Sequence, residues 1–245
     1  MALTINPHEP NRLKLIWQSS GIDRNKYLVG ELVRSGLSVS LSYFIYSADF
    51  VSAVKAGFLG HPAFPVSSPV HHSNVLEVFS RRLPGRRRND YYKYLEKYRL
   101  STKDHISDFA LLGYTGAYLP SDGFSFAIDW RFQELPAVFM MEISGFRYNQ
   151  GMHIEISDLV GRNLVLEYEP ENQFDPNAIA LKMDEIRIGY VPRYYARDFH
   201  ELSAYLGISC TIERIDGAIS RPKLYALMMI GSKKDREYLI GKRYW

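Results

Sequence analysis

Cysteine is almost absent from this chain: Cys210 stands alone among 245 residues. A single thiol excludes an internal disulfide, which fits a reducing compartment, and it excludes the paired-cysteine spacing of structural zinc sites. Long apolar runs are missing too, so no segment approaches the roughly 20 residues of a membrane-spanning helix. The opening, MALTINPHEP, lacks the charged-then-apolar pattern of a secretion signal, and a cytoplasmic protein with no membrane contact is expected. No G-x-x-x-x-G-K-[ST] or G-x-G-x-x-G run occurs, which removes the usual glycine-rich phosphate cradles of nucleotide-dependent enzymes. His71 and His72 adjoin, but His61, His105, His153 and His200 are scattered, with no Cys or carboxylate at ligand spacing. Neither a metal nor a cofactor is expected. The formal charge of +3 is too small to name a partner, because nucleic-acid binding depends on a local patch.

What the chain has is a folded composition rich in aromatics, 14% of residues with 18 Tyr, and a length that suits one large domain or two small ones. Residues 13–17 and 27–33 read as strands about a turn near Gly21 and Asp23. Leu37, Val39, Leu41, Tyr43 and Ile45 alternate with Ser38, Ser40 and Ser42, the pattern of a strand with one buried face. Ser47 caps a helix reaching about Phe58, and residues 59–73 form a Pro, Ser and Gly loop. Three short helices follow, begun by Asn74 with Glu77, by Asn89, and by Ser101 with Asp104, and Gly113 closes the last. Residues 129–136 read as a linker.

The second half is arranged around residues 163–192, NLVLEYEPENQFDPNAIALKMDEIRIGYVP. A strand places Leu164, Leu166 and Tyr168 on one face and Val165 and Glu167 on the other. A polar loop, 169–176, precedes a hairpin of 178–182 and 185–191 turning at Asp184. Upstream, residues 138–142 read as a strand. Downstream come a helix over 194–206 with Phe199, Leu202 and Leu206 on one face, an end at Gly207, strands over 208–215 and 223–230, and a charged tail over 233–245. Cys210 alternates with Ile208 and Ile212 and reads as a core thiol.

The ordered motifs Gly145-Phe146-Arg147-Tyr148, Glu169-Pro170-Glu171-Asn172-Gln173-Phe174-Asp175-Pro176-Asn177-Ala178-Ile179 and Ile188-Gly189-Tyr190-Val191-Pro192 resemble those of the HIRAN domain over about residues 138–230. That resemblance implies a small β-barrel related in shape to OB folds, found in helicase-like proteins and in standalone bacterial proteins. Some members bind the 3′ end of single-stranded DNA. It also implies that Arg147 and Tyr148 hold the backbone and stack a base, with Phe174 and Asp175 against the last nucleotide and Asp175 accepting from its 3′ hydroxyl. Asn149, Phe174 and Tyr190 stand where relatives carry a second aromatic, Tyr and His. These changes keep stacking faces and alter the hydrogen bonds on offer.

Residues 12–128 also resemble a known family. A strand ribbon, then Phe79-Ser80-Arg81-Arg82-Leu83-Pro84, a basic helix, and Asp108-Phe109-Ala110-Leu111-Leu112-Gly113-Tyr114-Thr115-Gly116-Ala117-Tyr118-Leu119-Pro120 look like the N-terminal subdomain of HipA-type toxin kinases. The kinase core that follows in that family has no counterpart here, so kinase activity is not carried over.

A single-stranded end calls for flat apolar faces for bases, cations for phosphates and a fixed acceptor for the hydroxyl. Arg147, Tyr148, Asn172, Phe174, Asp175, Asn177, Tyr190 and Arg193 are the candidates, although Asp175-Pro176-Asn177 also reads as a simple turn. Between Leu76 and Leu100, eight cations face three acids. Arg86, Arg87 and Arg88 there suit phosphate contact beside Tyr91, Tyr92 and Tyr94, and equally suit a solvated loop or a docking face. The expected fold class is α+β: an N-terminal domain of β-ribbon plus short helices, residues 1–135, then a small OB/SH3-like, HIRAN-like β-barrel with one main helix, 136–245. The expected function is a non-enzymatic DNA-binding accessory protein for single strands or 3′ ends. The alternative is a protein-interaction or antitoxin-like module that contacts a separate HipA-like kinase or other partner through residues 1–135.

Overall fold

The computed structural model describes residues 5, 7–20, 24–102, 105–149, 154–155, 158–218, 221–232 and 234–235. His153, the turn at Gly21 and Asp23, and all of the tail over 233–245 except Lys234 and Asp235 lie outside the described residues. The chain divides into two compact units, Pro7–Gln133 and Glu134–Trp245 with Met1–Asn6. Among the described residues no helix is long and apolar enough to cross a membrane.

In the first unit, β1 (Arg12–Gln18), β2 (Lys26–Ser35) and β3 (Ser38–Tyr43) form an antiparallel meander. The alternation in β3 buries Val39, Leu41 and Tyr43 and leaves the serines on the wetter face, whereas Leu37, expected on the buried face, is exposed in the turn before the strand and Ile45 lies beyond its end. Helix α1 (Ala48–Lys55) starts where Ser47 Oγ accepts from the Phe50 amide at 3.1 Å, satisfying one of the orphan donors of the first turn. The stretch 59–73, expected as loop, carries three two-residue strands: β4 (Gly60–His61), β5 (Phe64–Pro65) and β6 (Val70–His71). They form because Phe64 fills the core and β6 pairs with the edge of β3.

Helices α2 (Val75–Ser80), α3 (Tyr91–Glu96) and α4 (Asp108–Thr115) follow, then β7 (Phe124–Ile128). The sheet order is β6-β3-β2-β1-β7, so the strand farthest along the chain closes against the first. Two expectations at α4 are corrected. The helix begins at Ser107, whose Oγ accepts from the Ala110 amide at 3.0 Å, and not at Ser101. It also ends at Gly116, in the left-handed region at φ +72, while Gly113 lies inside it. A Cβ on Gly113 would come within 2.6 Å of Ile128 and Leu13, so that glycine lets helix and sheet approach. Asn74 precedes α2 in the left-handed region without a side-chain cap, so the box with Glu77 does not form.

In the second unit, β8 (Ala137–Glu142), β9 (Asn163–Tyr168), β10 (Ile179–Met183), β11 (Ile186–Tyr190), β12 (Gly207–Asp216) and β13 (Lys223–Gly231) make one antiparallel sheet ordered β11-β10-β9-β12-β13-β8. Its two edge strands meet beyond β8, where Ser144 and Tyr190 exchange backbone hydrogen bonds of 2.9 and 2.8 Å. Gly189 allows that meeting, because a Cβ there would stand 2.6 Å from the Ser144 carbonyl. The fold is thus a curled six-stranded sheet with a two-bond seam. Helix α5 (Arg193–Ser203) buries Tyr195, Phe199 and Leu202 on one side, and Tyr195 and Phe199 pack on Phe139 of β8. Gly207 opens β12 instead of ending the helix. Cys210 is fully buried in the sheet, and burial raises its thiol pKa well beyond the ordinary range.

Candidate nucleic-acid interface

Between β9 and β10 the chain makes a short loop fastened at its base by the Glu169 amide and the Ala178 carbonyl, 2.9 Å apart. Asn172 holds the inside: its Oδ1 accepts from the amides of Phe174 and Asp175 at 3.0 and 3.1 Å, and its Nδ2 donates to Glu169 at 2.8 Å. Asp175 Oδ1 accepts from the Asn177 amide at 2.9 Å, while Oδ2 lies 3.4 Å from Arg193 Nε at the start of α5. Asp175-Pro176-Asn177 is therefore the side-chain-closed turn the sequence allows, and the same turn fixes a carboxylate beside a guanidinium. Phe174 gains no shelter from this frame and is 93% exposed. Burying a phenylalanine is worth roughly 1.5–3 kcal/mol, so a rigid loop presenting one to water forgoes that energy.

Tyr190, at the end of β11, donates its hydroxyl to Glu169 Oε2 at 3.2 Å and receives a hydrogen bond from Arg187. Arg187 reaches Glu169 Oε1 at 3.4 Å as well. One carboxylate thus ties the loop, through Asn172, to the β11 edge. The tight turn of residues Phe146–Tyr148 comes next to the same edge, because Gly145 lies against Tyr190 and Ser144 bridges to it. Phe146 is buried there, whereas Tyr148 is 84% exposed with the Arg147 guanidinium 5.7 Å from its ring centre.

Arg147, Tyr148 and Tyr190 therefore share one edge of the sheet, and Asn172, Phe174, Asp175 and Asn177 share the loop that Glu169 links to it. Arg193 joins through Asp175. Glu169 and Arg187 were not singled out from sequence. Glu169 opens the loop motif, which was the available signal, but its contact with Tyr190 depends on the β10–β11 register. His200 of α5 was also missed: its Nε2 lies 3.2 Å from the Asn177 carbonyl and its ring 4.3 Å from that of Tyr168. Among the described residues no cluster of three or more His, Cys, Asp or Glu is placed to hold a metal.

Arg86, Arg87 and Arg88 belong to the first unit. Arg86 reaches the Ile106 carbonyl at 2.7 Å and Asp108 at 2.5 Å, and Arg88 forks onto Asp90 at 2.9 Å through two nitrogens. Arg87 is exposed and meets no partner among the described residues. Most of that run is therefore neutralised locally. Arg82, nearby, is interior: it is bidentate to Asp122 and donates to the Ala117 and Phe124 carbonyls at 2.9 and 2.7 Å.

The second unit is, by its geometry, a small curled sheet domain with an aromatic and cationic loop site. Residues 137–222 match the family model of the HIRAN domain. The match covers 86 of the 245 residues and falls within the second unit. The crystal structure of the HIRAN domain of human HLTF is similar over 42% of this chain and 82% of its own, at 17% identity and a TM-score of 0.32. A crystal structure of a protein from Lactobacillus plantarum is similar over 40% of this chain and 93% of its own, at 22% identity and a TM-score of 0.32. No curated protein matches the chain. The family match starts after the first unit ends, leaving residues 7–133 outside it.

Proposed function

We propose that the second unit binds single-stranded DNA, and its free 3′ end in particular, with no catalytic step of its own. The observation that carries this reading is Phe174, almost wholly exposed on a loop whose backbone is already fixed by Asn172 and Asp175. A preordered exposed ring stacks on an unpaired base without a large ordering cost, and such stacking contributes about 1–3 kcal/mol per base. Tyr148 offers a second face, and Arg147 and Arg193 offer charge for phosphates. Asp175 supplies a fixed acceptor for a terminal hydroxyl, and its negative charge disfavours a 3′ phosphate. The family resemblance supports the same assignment.

The test is binding of a labelled single strand to Arg147→Ala, Phe174→Ala and Asp175→Ala. Phe174→Ala is expected to weaken binding by about 1–3 kcal/mol with its melting temperature unchanged, since the ring contributes no packing. Unchanged affinity in all three variants would remove the loop from the site.

A second reading, contact with a protein partner through the first unit, rests on Tyr46, Val51, Val54 and Leu59, large apolar side chains left exposed on and beside α1. It accords with the resemblance of that unit to a kinase subdomain without its core. Replacing Val51 and Val54 with Glu would abolish such a contact while leaving strand binding intact, and retention of a partner by that variant would contradict it.

A further inference from the structure

Helix α5 grips the far side of the loop that carries Phe174. Arg193 and His200 stand seven residues apart, about two helical turns, so they lie on one face of α5. Arg193 Nε lies 3.4 Å from Asp175 Oδ2, and His200 Nε2 lies 3.2 Å from the Asn177 carbonyl oxygen. A carbonyl only accepts, so His200 donates and must carry a proton on Nε2. The ring is held as well. It packs on Tyr168 of β9 at 4.3 Å between centres, and the Tyr168 hydroxyl donates to Ser203 Oγ of the same helix at 2.5 Å. Tyr195 and Phe199 anchor the helix against Phe139. The place of His200 is therefore set by the core and by β9, independently of the loop it touches. Asn177 joins this brace to the carboxylate: its carbonyl receives from His200, and its amide donates to Asp175 Oδ1 at 2.9 Å. The two groups meet at one Cα, so holding the carbonyl limits the swing of the amide that orients Asp175.

We propose that His200 is a positioning residue for end discrimination: through Asn177 it fixes the direction of the Asp175 carboxylate, and so sets the preference for a free 3′ hydroxyl over a 3′ phosphate. This role rests on the reading of Asp175 given above. Stacking by Phe174 does not require it, because Asn172 holds the backbone of Phe174 and Asp175 from inside the loop. Only the side chain of Asp175 takes its direction from Asn177 and Arg193. A carboxylate that turns away from the terminal nucleotide neither accepts from a hydroxyl nor repels a phosphate at full strength. Removing the His200 donor therefore lowers selectivity for the end and leaves general affinity for the strand in place.

The full chain is compared with His200→Leu, which keeps bulk without a donor, and His200→Gln, whose amide can donate from near the Nε2 position. His200→Asn, polar but too short to place a donor there, gives the same contrast should His200→Leu fail to fold in thermal melts. Fluorescence anisotropy gives the ratio of affinities for an oligothymidylate ending in a 3′ hydroxyl and the same strand ending in a 3′ phosphate. NMR gives the solvent-exchange rate of the Asn177 amide. His200→Leu is expected to lower the ratio by about three- to tenfold, the scale of one hydrogen bond, and to speed Asn177 exchange. His200→Gln should restore both. Equal losses for the two strands in His200→Leu, or a His200→Gln variant that behaves as His200→Leu does, overturn the role. A parent that prefers the hydroxyl, with ratio and exchange unchanged in His200→Leu, overturns this role alone. A parent that binds both strands equally overturns the reading of Asp175 and this role with it.

Discussion

Glu169 accepts from Asn172 Nδ2 and from the Tyr190 hydroxyl and faces Arg187, so it holds the loop against the β11 edge. Glu169→Gln keeps its size and removes its charge, leaving the Arg187 guanidinium opposite a neutral amide. The expected result is weaker strand binding by about tenfold, with a stability loss on the order of 1–3 kcal/mol, read by anisotropy and by chemical unfolding. This differs from Phe174→Ala, which should weaken binding without touching stability. Single residues were legible from sequence where their role is local. Asp175 and Asn177 read as a turn because an aspartate closes on an amide two residues along, and that bond exists. Glu169 was not legible, because its hydroxyl partner is 21 residues away and is delivered by strand register.

At the scale of elements, α4 depends on Gly113 for its closeness to the sheet. Gly113→Val would add bulk where even a first Cβ would stand 2.6 Å from Leu13 and Ile128, and a loss of about 1–3 kcal/mol from overpacking is expected in thermal or chemical melts. A variant as stable as the parent would show that helix and sheet separate at little cost. The same glycine explains a misreading from sequence, since a glycine near the end of a helical pattern reads as a stop when it is in fact a contact. Ser101 read as the cap because Asp104 stands three residues on. Ser107 takes that role because Phe109, Leu111 and Leu112 must be buried, a tertiary demand that the local signal does not carry. Strand β7 went unrecognised although Phe124, Phe126 and Ile128 alternate with Ser125 and Ala127. The alternating β3, the Ser47 cap and the hairpin at Asp184, whose φ is 52, were all legible because each is fixed by neighbouring residues.

For the molecule as a whole, acidity bears on the first unit through His61, packed among Phe64, Phe79 and Phe124. Burial lowers its pKa, opposed by Asp122 and assisted by Arg82. The unfolded chain therefore binds the proton more readily than the folded one. Stability from this group is fully present above about pH 6.5 and is lost as pH falls below that value toward the lowered folded pKa. Thermal melts from about pH 7.5 to about pH 5 should show that decline, and His61→Gln, which keeps an acceptor for the Ala63 amide, should flatten it. The strand binding proposed above is assigned to the other unit.

The central claim is that an exposed ring and a fixed carboxylate read the end of a single strand. Fluorescence anisotropy of the full chain compares a single strand with a free 3′ hydroxyl, the same strand with a 3′ phosphate, and a blunt duplex, at matched salt. The account predicts the tightest binding to the free hydroxyl, weaker binding to the phosphate-blocked strand because Asp175 repels it, and the weakest to the duplex, whose bases are already stacked. Equal affinity for all three, or none for any, would contradict it.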